Sequence, residues 1–242
     1  MSELRDLCEV NDVVFLQETW LMEEDLPILS KVHPEFYGKG VSAMDLSKGV
    51  LVGRPFGGLA ILWRKSLGSA AIPVLYDDAR IMGLKLVNKS IQILLINVYL
   101  PCLSSGSMDD FKYYLSKVDS LVTTSDTCYC MVMGDFNADI SSDKHGNIHH
   151  LLGKSLTQYC QTEGLTISDF EMLERNTYTF LSSAHHSTSW IDHILSTSMM
   201  HDMIEHISVD HGYITSDHFP VTVTIAFDHS AEVPVKKNDI LH

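Results

Sequence analysis

Three acidic side chains, Glu18, Asp135 and Asp217, each stand beside an apolar run, and the runs lie far apart in the sequence. Asn137, two residues after Asp135, adds an amide oxygen. Carboxylate and amide oxygens are ligands that suit Mg²⁺ or Mn²⁺ better than zinc. If the fold brings the ends of these runs together, the sequence predicts a site for a hard divalent cation.

A histidine directly follows the third acid, and it suggests the chemistry of the site. His218 next to a metal site is suited to accept a proton from water or to stabilise a phosphorane-like oxyanion. Asp192 interrupts the apolar run 190–196, where a carboxylate is costly unless it is paired. A hydrogen bond between His218 and Asp192 satisfies both residues. The alternative is that Asp192 lies on the solvent face of an edge strand.

Other patterns in the sequence do not support further sites. His145 and His149 have helical metal-pair spacing, but the Glu of a His-Glu-x-x-His motif is missing, so we expect no zinc there. The glycine-rich stretch 49–58 lacks the Gly-Lys-Ser/Thr ending of a phosphate-binding loop. We therefore expect no nucleotide cofactor.

Hydrophobic patterning predicts many strands with a few helices between them. Strands are expected near residues 12–17, 57–63, 72–76, 81–87, 90–100, 128–133, 165–168, 177–181, 190–196, 204–209 and 220–227. One helix is expected to end near Cys8, and a second is expected to begin at Ser107, which forms a capping box with Asp110. A third is expected over 147–163 and ends at Gly164. The polar, Gly-containing stretch 37–55 has no predicted element. This order indicates an α/β fold in which sheet packs on sheet.

Length and composition indicate one α/β domain over residues 1–227, followed by a loose tail at 228–242. No apolar run approaches the roughly 18 residues of a membrane span, and five cysteines, an odd number, indicate reduced thiols. We therefore expect a soluble, intracellular monomer that does not enter membranes. The net charge of −14 counts against tight non-specific binding to duplex DNA, but not against catalysis.

Short phrases along the chain resemble the ordered motifs of the exonuclease-endonuclease-phosphatase superfamily. They stand at 17–20, 97–101, 134–137, 190–193 and 216–220. The chain most resembles the apurinic-endonuclease-like domain of non-LTR retrotransposons, whose typical Gln-Glu-Thr-Trp-Leu and Gly-Asp-Phe-Asn-Ala-Asp phrases stand at 17–21 and 134–139. The resemblance covers residues 3–227. It implies a four-layer αββα sandwich of the DNase I-like type and Mg²⁺- or Mn²⁺-dependent cleavage of phosphoester bonds.

The resemblance also implies a role for each residue that matches a motif. Glu18, Asp217 and Asp135 are expected at the metal, and Asp135 is also expected to position or activate water. Asn137 and Tyr99 are expected to contact the phosphate. His218, held by Asp192, is expected to stabilise the phosphate in the transition state, while Thr177 and Trp190 are expected to bind substrate.

The resemblance has one gap. Members of the superfamily open with a strand that carries an active-site Asn, upstream of the helix that precedes the Gln-Glu-Thr strand. Because this sequence begins with that helix, we expect a central strand and its supporting amide to be absent.

The function expected from the resemblance is a retrotransposon-type endonuclease that nicks DNA. Two alternatives stay open: an inactive, folded remnant that binds a partner, and a phosphoesterase that acts on lipids or inositol phosphates. Against the latter, residues 188–193 read Thr-Ser-Trp-Ile-Asp-His, where inositol polyphosphate phosphatases have Pro-Ala-Trp-Cys-Asp-Arg.

Overall fold

The computed structural model describes residues 2–44, 57–76, 78–103, 106–143, 145–213 and 215–227. Most of the glycine-rich stretch 49–58 and the expected tail 228–242 lie outside the described residues. The helices are α1 (Ser2–Val10), α2 (Met108–Thr123), α3 (Leu151–Glu163), α4 (Ser168–Met172) and α5 (Ser198–His201), and two 3₁₀ segments cover Glu23–Lys31 and Lys65–Ala70. The strands are β1 (Val13–Gln17), β2 (Phe36–Val41), β3 (Leu59–Arg64), β4 (Ala71–Leu75), β5 (Ile81–Val87), β6 (Gln92–Tyr99), β7 (Tyr129–Asp135), β8 (Thr166–Ile167), β9 (Phe180–Ser182), β10 (Ser187–Ser189), β11 (Asp192–Ser196), β12 (Ile204–Val209) and β13 (Val221–Ile225).

The centre of the fold is a six-stranded sheet in the order β4-β5-β6-β7-β11-β8. Only β6 and β7 are parallel, and α2 is the crossover between them. Both strands read as nearly unbroken apolar runs because both faces of the sheet are covered. The predicted capping box forms at the start of α2: the Ser107 hydroxyl accepts from the Asp110 amide, and the Asp110 carboxylate accepts from the Ser107 amide.

A second sheet layer packs on one face of the six-stranded sheet. It consists of β1-β3-β2 and the pair β12-β13. The shared core includes Leu59, Ile61, Leu84, Leu95, Met131, Ile194 and Ile207, and α2 and α3 cover the opposite face of the six-stranded sheet. On the outer face of β1-β3-β2, α1 and the first 3₁₀ segment bury Cys8 and Leu29. The layers are thus helix, sheet, sheet and helix, which confirms the four-layer sandwich.

Within the part of the chain that the structure describes, every strand of the second layer except β3 has an unpaired side, including β1 and β13. Among the described residues, β1 pairs only with β3, and β13 pairs only with β12. The Arg64 N–H donates to the Asp12 carbonyl, so Asp12 is a hydrogen-bonded position of the β1–β3 pair. In an antiparallel pair such positions alternate, so the backbone N–H and C=O groups of Val13, Phe15 and Gln17 point away from β3. Unpaired edges of this kind leave backbone donors and acceptors without a strand partner. The expected absence of one central strand stays a prediction.

The sequence predicts no strand at β2, because the glycines of this segment are typical of a loop. At Gly38 a Cβ would lie 2.5 Å from the Leu29 carbonyl oxygen, and at Gly40 it would lie 2.7 Å from a Leu29 methyl group. The two glycines therefore let the 3₁₀ segment approach the strand closely. The predicted end of α3 is confirmed, since Gly164 adopts φ 67° there. No helix among the described residues is both long and apolar enough to cross a membrane.

Candidate active site

Three neighbouring strands of the six-stranded sheet place polar side chains in one row. Tyr99, the last residue of β6, is the register partner of Asp135 at the end of β7. Asp192, the first residue of β11, is the partner of Asp135 on the other side. Adjacent strands lie about 4.8 Å apart, so these side chains share one edge of the sheet.

The turn after β7 fixes an amide against the central carboxylate. The Asn137 backbone N–H donates to Asp135 Oδ1 at 2.8 Å, and Asn137 Nδ2 donates to Asp135 Oδ2 at 3.2 Å and to the Leu100 carbonyl at 3.0 Å. Asn137 adopts φ 51°, a conformation that asparagine tolerates better than most residues. Gly134 has φ 141°, and a Cβ there would lie 2.1 Å from the Val98 carbonyl oxygen. The chain therefore requires a glycine directly before Asp135.

The environment of Asp135 disfavours its charged form. Its side chain is buried, with 4% of the residue exposed. Burial first, and then the carboxylate of Asp192, raises the pKa of Asp135 to about 8, although the positive charge of His218 lowers it in part. A carboxyl group with a raised pKa is the stronger base once it is ionised, so Asp135 is suited to take a proton from water.

His218 and Asp192 form the hydrogen-bonded pair that the sequence predicts. His218 Nδ1 lies 2.9 Å from Asp192 Oδ2 and 3.1 Å from Oδ1. The ring of Phe180 packs on the imidazole with centroids 4.9 Å apart. The alternative, Asp192 on the solvent face of an edge strand, is wrong because its side chain is only 14% exposed and is bonded to His218. Since Asp192 takes Nδ1, Nε2 is the nitrogen left for a substrate oxygen.

The carboxylate of Asp192 also sets the charge of that histidine. Burial alone lowers the pKa of His218, but the hydrogen bond and the charge of Asp192 outweigh burial and raise it to about 9. Asp135 and Asp217 add smaller effects in the same direction. At neutral pH the ring is therefore an imidazolium, which can stabilise negative charge on a phosphate.

Glu18 reaches the same edge from the second sheet layer. It is exposed and adopts φ 49° in the turn after β1, where the Trp20 amide donates to the Gly57 carbonyl at 3.0 Å. The Tyr99 hydroxyl donates to the Glu18 carboxylate. Burial, and then this hydrogen bond, raises the pKa of Tyr99, so the phenol stays protonated. The Tyr99–Glu18 contact joins the two sheets at the site.

The profile of the Endonuclease/Exonuclease/phosphatase family matches residues 1–218 of the sequence. The chain belongs to this family. No curated protein sequence gives a significant match.

Solved structures of other family nucleases share the fold at low sequence identity. The 3'-5' exonuclease NExo from Neisseria meningitidis superimposes with a TM-score of 0.70 at 20% identity, over 93% of this chain and 94% of that one. An AP endonuclease from Archaeoglobus fulgidus gives 0.66 at 17% identity, over 93% and 92%. The endonuclease domain of TRAS1, a telomere-specific non-LTR retrotransposon, gives 0.65 at 16% identity, over 93% and 90%. These likenesses establish the shared fold.

The oxygen donors of this family member fit a hydrated magnesium ion better than a fully protein-ligated metal. Among the described residues, no group of three or more acidic, His or Cys side chains is arranged to hold a metal ion. Mg²⁺ keeps several waters and is usually bound by one or two carboxylates. Glu18 and the crowded, buried Asp135 fit that pattern by donor type and excess negative charge. Asp217 is exposed, and its charge acts on His218.

Of the expected substrate-binding residues, Trp190 does not reach the surface of the site, and the role of Thr177 stays a prediction. Trp190 is fully buried between Phe170 and His193, so the expected substrate contact does not fit its position. Thr177 lies in a turn where its amide donates to a backbone carbonyl. The nearby Thr179 does contact the site: its buried hydroxyl accepts from the amides of Ile191 and Asp192 at 3.1 and 3.0 Å.

Sequence reasoning also missed a buried amide that supports the site from below. Asn97 is fully buried in β6, accepts from Gln17 Nε2 at 2.6 Å, and donates to the Leu16 and Ala60 carbonyls at 3.1 and 3.2 Å. These bonds tie β6 to β1 and β3 directly below Tyr99 and Glu18. The available signal was an amide inside an otherwise apolar strand, which is costly to bury unless it is fully bonded.

Proposed function

We propose that this family member is a divalent-metal-dependent phosphodiesterase that nicks DNA, as expected of a retrotransposon-type endonuclease. The observation that carries the proposal is the row Tyr99–Asp135–Asp192, completed by Asn137 and His218. It combines a proton acceptor, fixed donors and a cationic imidazole at one edge of the sheet. That combination suits in-line attack of water on a phosphodiester.

Each side chain has a distinct task in this reaction. Asp135 orients the attacking water and takes its proton, since its pKa is raised. His218 Nε2–H donates to a non-bridging phosphate oxygen and neutralises charge that grows in the transition state. The protonated Tyr99 hydroxyl stands beside Glu18, where it can turn to the phosphate. Glu18 and Asp135 would hold a Mg²⁺ or Mn²⁺ ion, which when bound would supply Lewis-acid stabilisation of the phosphate.

The nucleic acid is bound by local contacts rather than by a basic field, because the net charge is −14. Trp20 is 59% exposed beside Glu18, and stacking of a base on an exposed aromatic ring stabilises such complexes by about 1–3 kcal/mol. Trp63 and Trp190, the other two tryptophans, are 8% and 0% exposed. Quenching of fluorescence by acrylamide therefore reports mainly on Trp20, and DNA should protect it when Ca²⁺ replaces Mg²⁺.

The test is conversion of supercoiled plasmid to open circle by the purified protein in Mg²⁺. We expect nicking that Asp135→Ala and His218→Ala abolish and that Asp143→Ala, a change in a hydrogen-bonded loop away from the site, leaves intact. Nicking that persists in Asp135→Ala would indicate a contaminating nuclease.

Two other outcomes would replace the proposal. Folded protein that leaves plasmid intact in both Mg²⁺ and Mn²⁺ points to the inactive, partner-binding alternative, which the unpaired sides of β1 and β13 support. Release of phosphate from a phosphoinositide panel without nicking points to the lipid-directed enzyme.

A further inference from the structure

A second histidine lies directly behind the site, and both of its ring nitrogens are bonded. His193 is fully buried on β11, with Nε2 2.8 Å from the Ala138 carbonyl oxygen and Nδ1 2.9 Å from Asp169 Oδ2. A carbonyl oxygen only accepts, so Nε2 carries a proton. Asp169 Oδ1 accepts from the Ile194 amide at 2.8 Å, which favours the ionised carboxylate. Nδ1 therefore carries a proton as well, and the ring is an imidazolium.

The charged surroundings of His193 agree with this assignment. Burial lowers the pKa of the ring, but Asp169 on α4 raises it by charge and hydrogen bond, and the net direction is upward. The charge of Asp192, the residue before His193 on β11, also raises the pKa of His193. Cys160 on α3 lies near Asp169, and burial keeps that thiol protonated by raising its pKa to about 12. The buried pair is thus one carboxylate and one imidazolium.

The Nε2 bond of His193 ends on the loop that carries the catalytic amide. Ala138 directly follows Asn137, whose backbone is held at φ 51°. The same loop is fastened to the chain before β11 by the Phe136 amide, which donates to the Ile191 carbonyl at 2.9 Å. The ring of Phe136 packs against His193 with centroids 5.8 Å apart. His193 is therefore a side-chain anchor that fastens the turn between Asp135 and Ala138 to β11.

We infer that His193, held as an imidazolium by Asp169, is a positioning residue that fixes the Asp135–Asn137 turn against β11 for phosphodiester cleavage. The catalytic part of this inference rests on the proposed function. Displacement of a catalytic group by about 1 Å can cost ~10²-fold in rate. Loss of the anchor should therefore lower kcat about a hundredfold and leave KM for the plasmid nearly unchanged.

Two substitutions separate the anchor from the charge. In His193→Gln, the two hydrogens of one side-chain nitrogen cannot span the acceptors that Nδ1 and Nε2 reach on different sides of the ring. Because the carboxylate of Asp169 is the stronger acceptor, the bond to Ala138 is lost. In Asp169→Asn, the new amide can donate to Nδ1 and still accept from Ile194, so a neutral ring keeps its bond to Ala138. We expect kcat to fall about a hundredfold in the first variant and less than about threefold in the second.

The matched control is Ser196→Ala, which removes another fully buried hydrogen-bonding group from β11, the partner of Ser168 at 2.6 Å. It should lower the melting temperature without lowering kcat. If His193→Gln does not fold, the double variant His193→Leu/Asp169→Asn replaces it, because no unpaired carboxylate is then buried and no side-chain donor at residue 193 reaches Ala138.

Two spectroscopic measurements test the inference without any nuclease activity. Nitrogen NMR of the ring should show both His193 nitrogens protonated in the wild type and only Nε2 protonated in Asp169→Asn, at the same pH. Hydrogen exchange of the Asn137 amide, bonded to Asp135, should accelerate at least tenfold in His193→Gln. Unchanged exchange together with unchanged kcat would overturn the positioning role, and a neutral wild-type ring would overturn the imidazolium. An inactive wild-type protein would contradict only the proposed function, because the hydrogen-exchange comparison would still test the positioning role of His193.

Discussion

The two sheets contribute to the site in different ways. The side chains from the six-stranded sheet and its turn, among them Asp135 and Asp192, are bonded within the fold, and Asp135 is almost fully buried. Those from the second layer, among them Glu18 and Trp20, are exposed and lie on turns with left-handed backbone next to a strand paired on one side. The first group, the bonded half of the site, is held by burial and hydrogen bonds, whereas the second group, the exposed half, is accessible to solvent.

This difference teaches how the chemistry is divided. Proton transfer needs fixed geometry, which the bonded half provides. Binding of a hydrated cation and of a nucleic acid strand needs accessible groups, which the exposed half provides. His218 connects the halves, because it stands just before β13 and bonds to Asp192 on β11. Variants in the bonded half should therefore lower kcat, and variants in the exposed half should raise the metal or DNA concentration required.

The largest effect is expected for Asp135→Asn. Loss of a group that takes a proton from water should reduce the nicking rate by about 10³-fold. In EDTA, the same change should raise the melting temperature at pH 9. The raised pKa of Asp135 means that the folded protein loses stability as the pH rises from about 4, the ordinary value, to about 8. Scanning calorimetry at pH 5 and pH 9 measures this, and a variant that melts lower than wild type at pH 9 would contradict the comparison.

A smaller loss, about 10²-fold, is expected for Asp192→Asn. Without its carboxylate the pKa of His218 drops from about 9, so less imidazolium is present at pH 8 than at pH 6. The loss of kcat should therefore be greater at pH 8. The rates of nicking are compared at the two pH values in saturating Mg²⁺. Equal losses at both would show that Asp192 acts only by orienting the ring, not by charging it.

Glu18→Gln tests the exposed half and should change concentration dependence rather than rate. We expect the Mg²⁺ concentration for half-maximal nicking to rise about tenfold, the lower range for loss of a group that supports a metal site. At saturating Mg²⁺ the rate should stay within about threefold. The control is Glu23→Gln, another exposed acid nearby, which should change neither value. A fall in the saturating rate alone would place Glu18 in the bonded half instead.

The bonded half was also the more predictable one from sequence. Asp135, Asn137, Asp192 and His218 stand in phrases with a specific order, and the cost of a carboxylate within an apolar strand predicts the pairing of Asp192. What failed depended on contacts between distant segments. Gly38 and Gly40 belong to a strand because β2 pairs with β3, and the absence of a Cβ atom leaves room for Leu29. The hydroxyl of Thr179 meets the amide of Ile191 just before β11. No local pattern distinguishes these cases, because the partner is supplied by the tertiary fold.

The smallest expected effect concerns the stability of the two halves. Cys8 is buried in the outer layer against β1-β3-β2, whereas Cys160 is buried between α3 and the six-stranded sheet. Burial raises the pKa of both thiols, so each reacts with a thiol reagent only after local opening. If the second layer opens more readily than the six-stranded sheet by about 1 kcal/mol, Cys8 should be labelled about fivefold faster than Cys160 under native conditions. The measurement uses mass spectrometry on protein carrying Cys102→Ser and Cys128→Ser, since Cys128 is exposed. Equal rates would mean that both sheets open as one cooperative unit, and the exposed half of the site would then owe its accessibility to its turns alone.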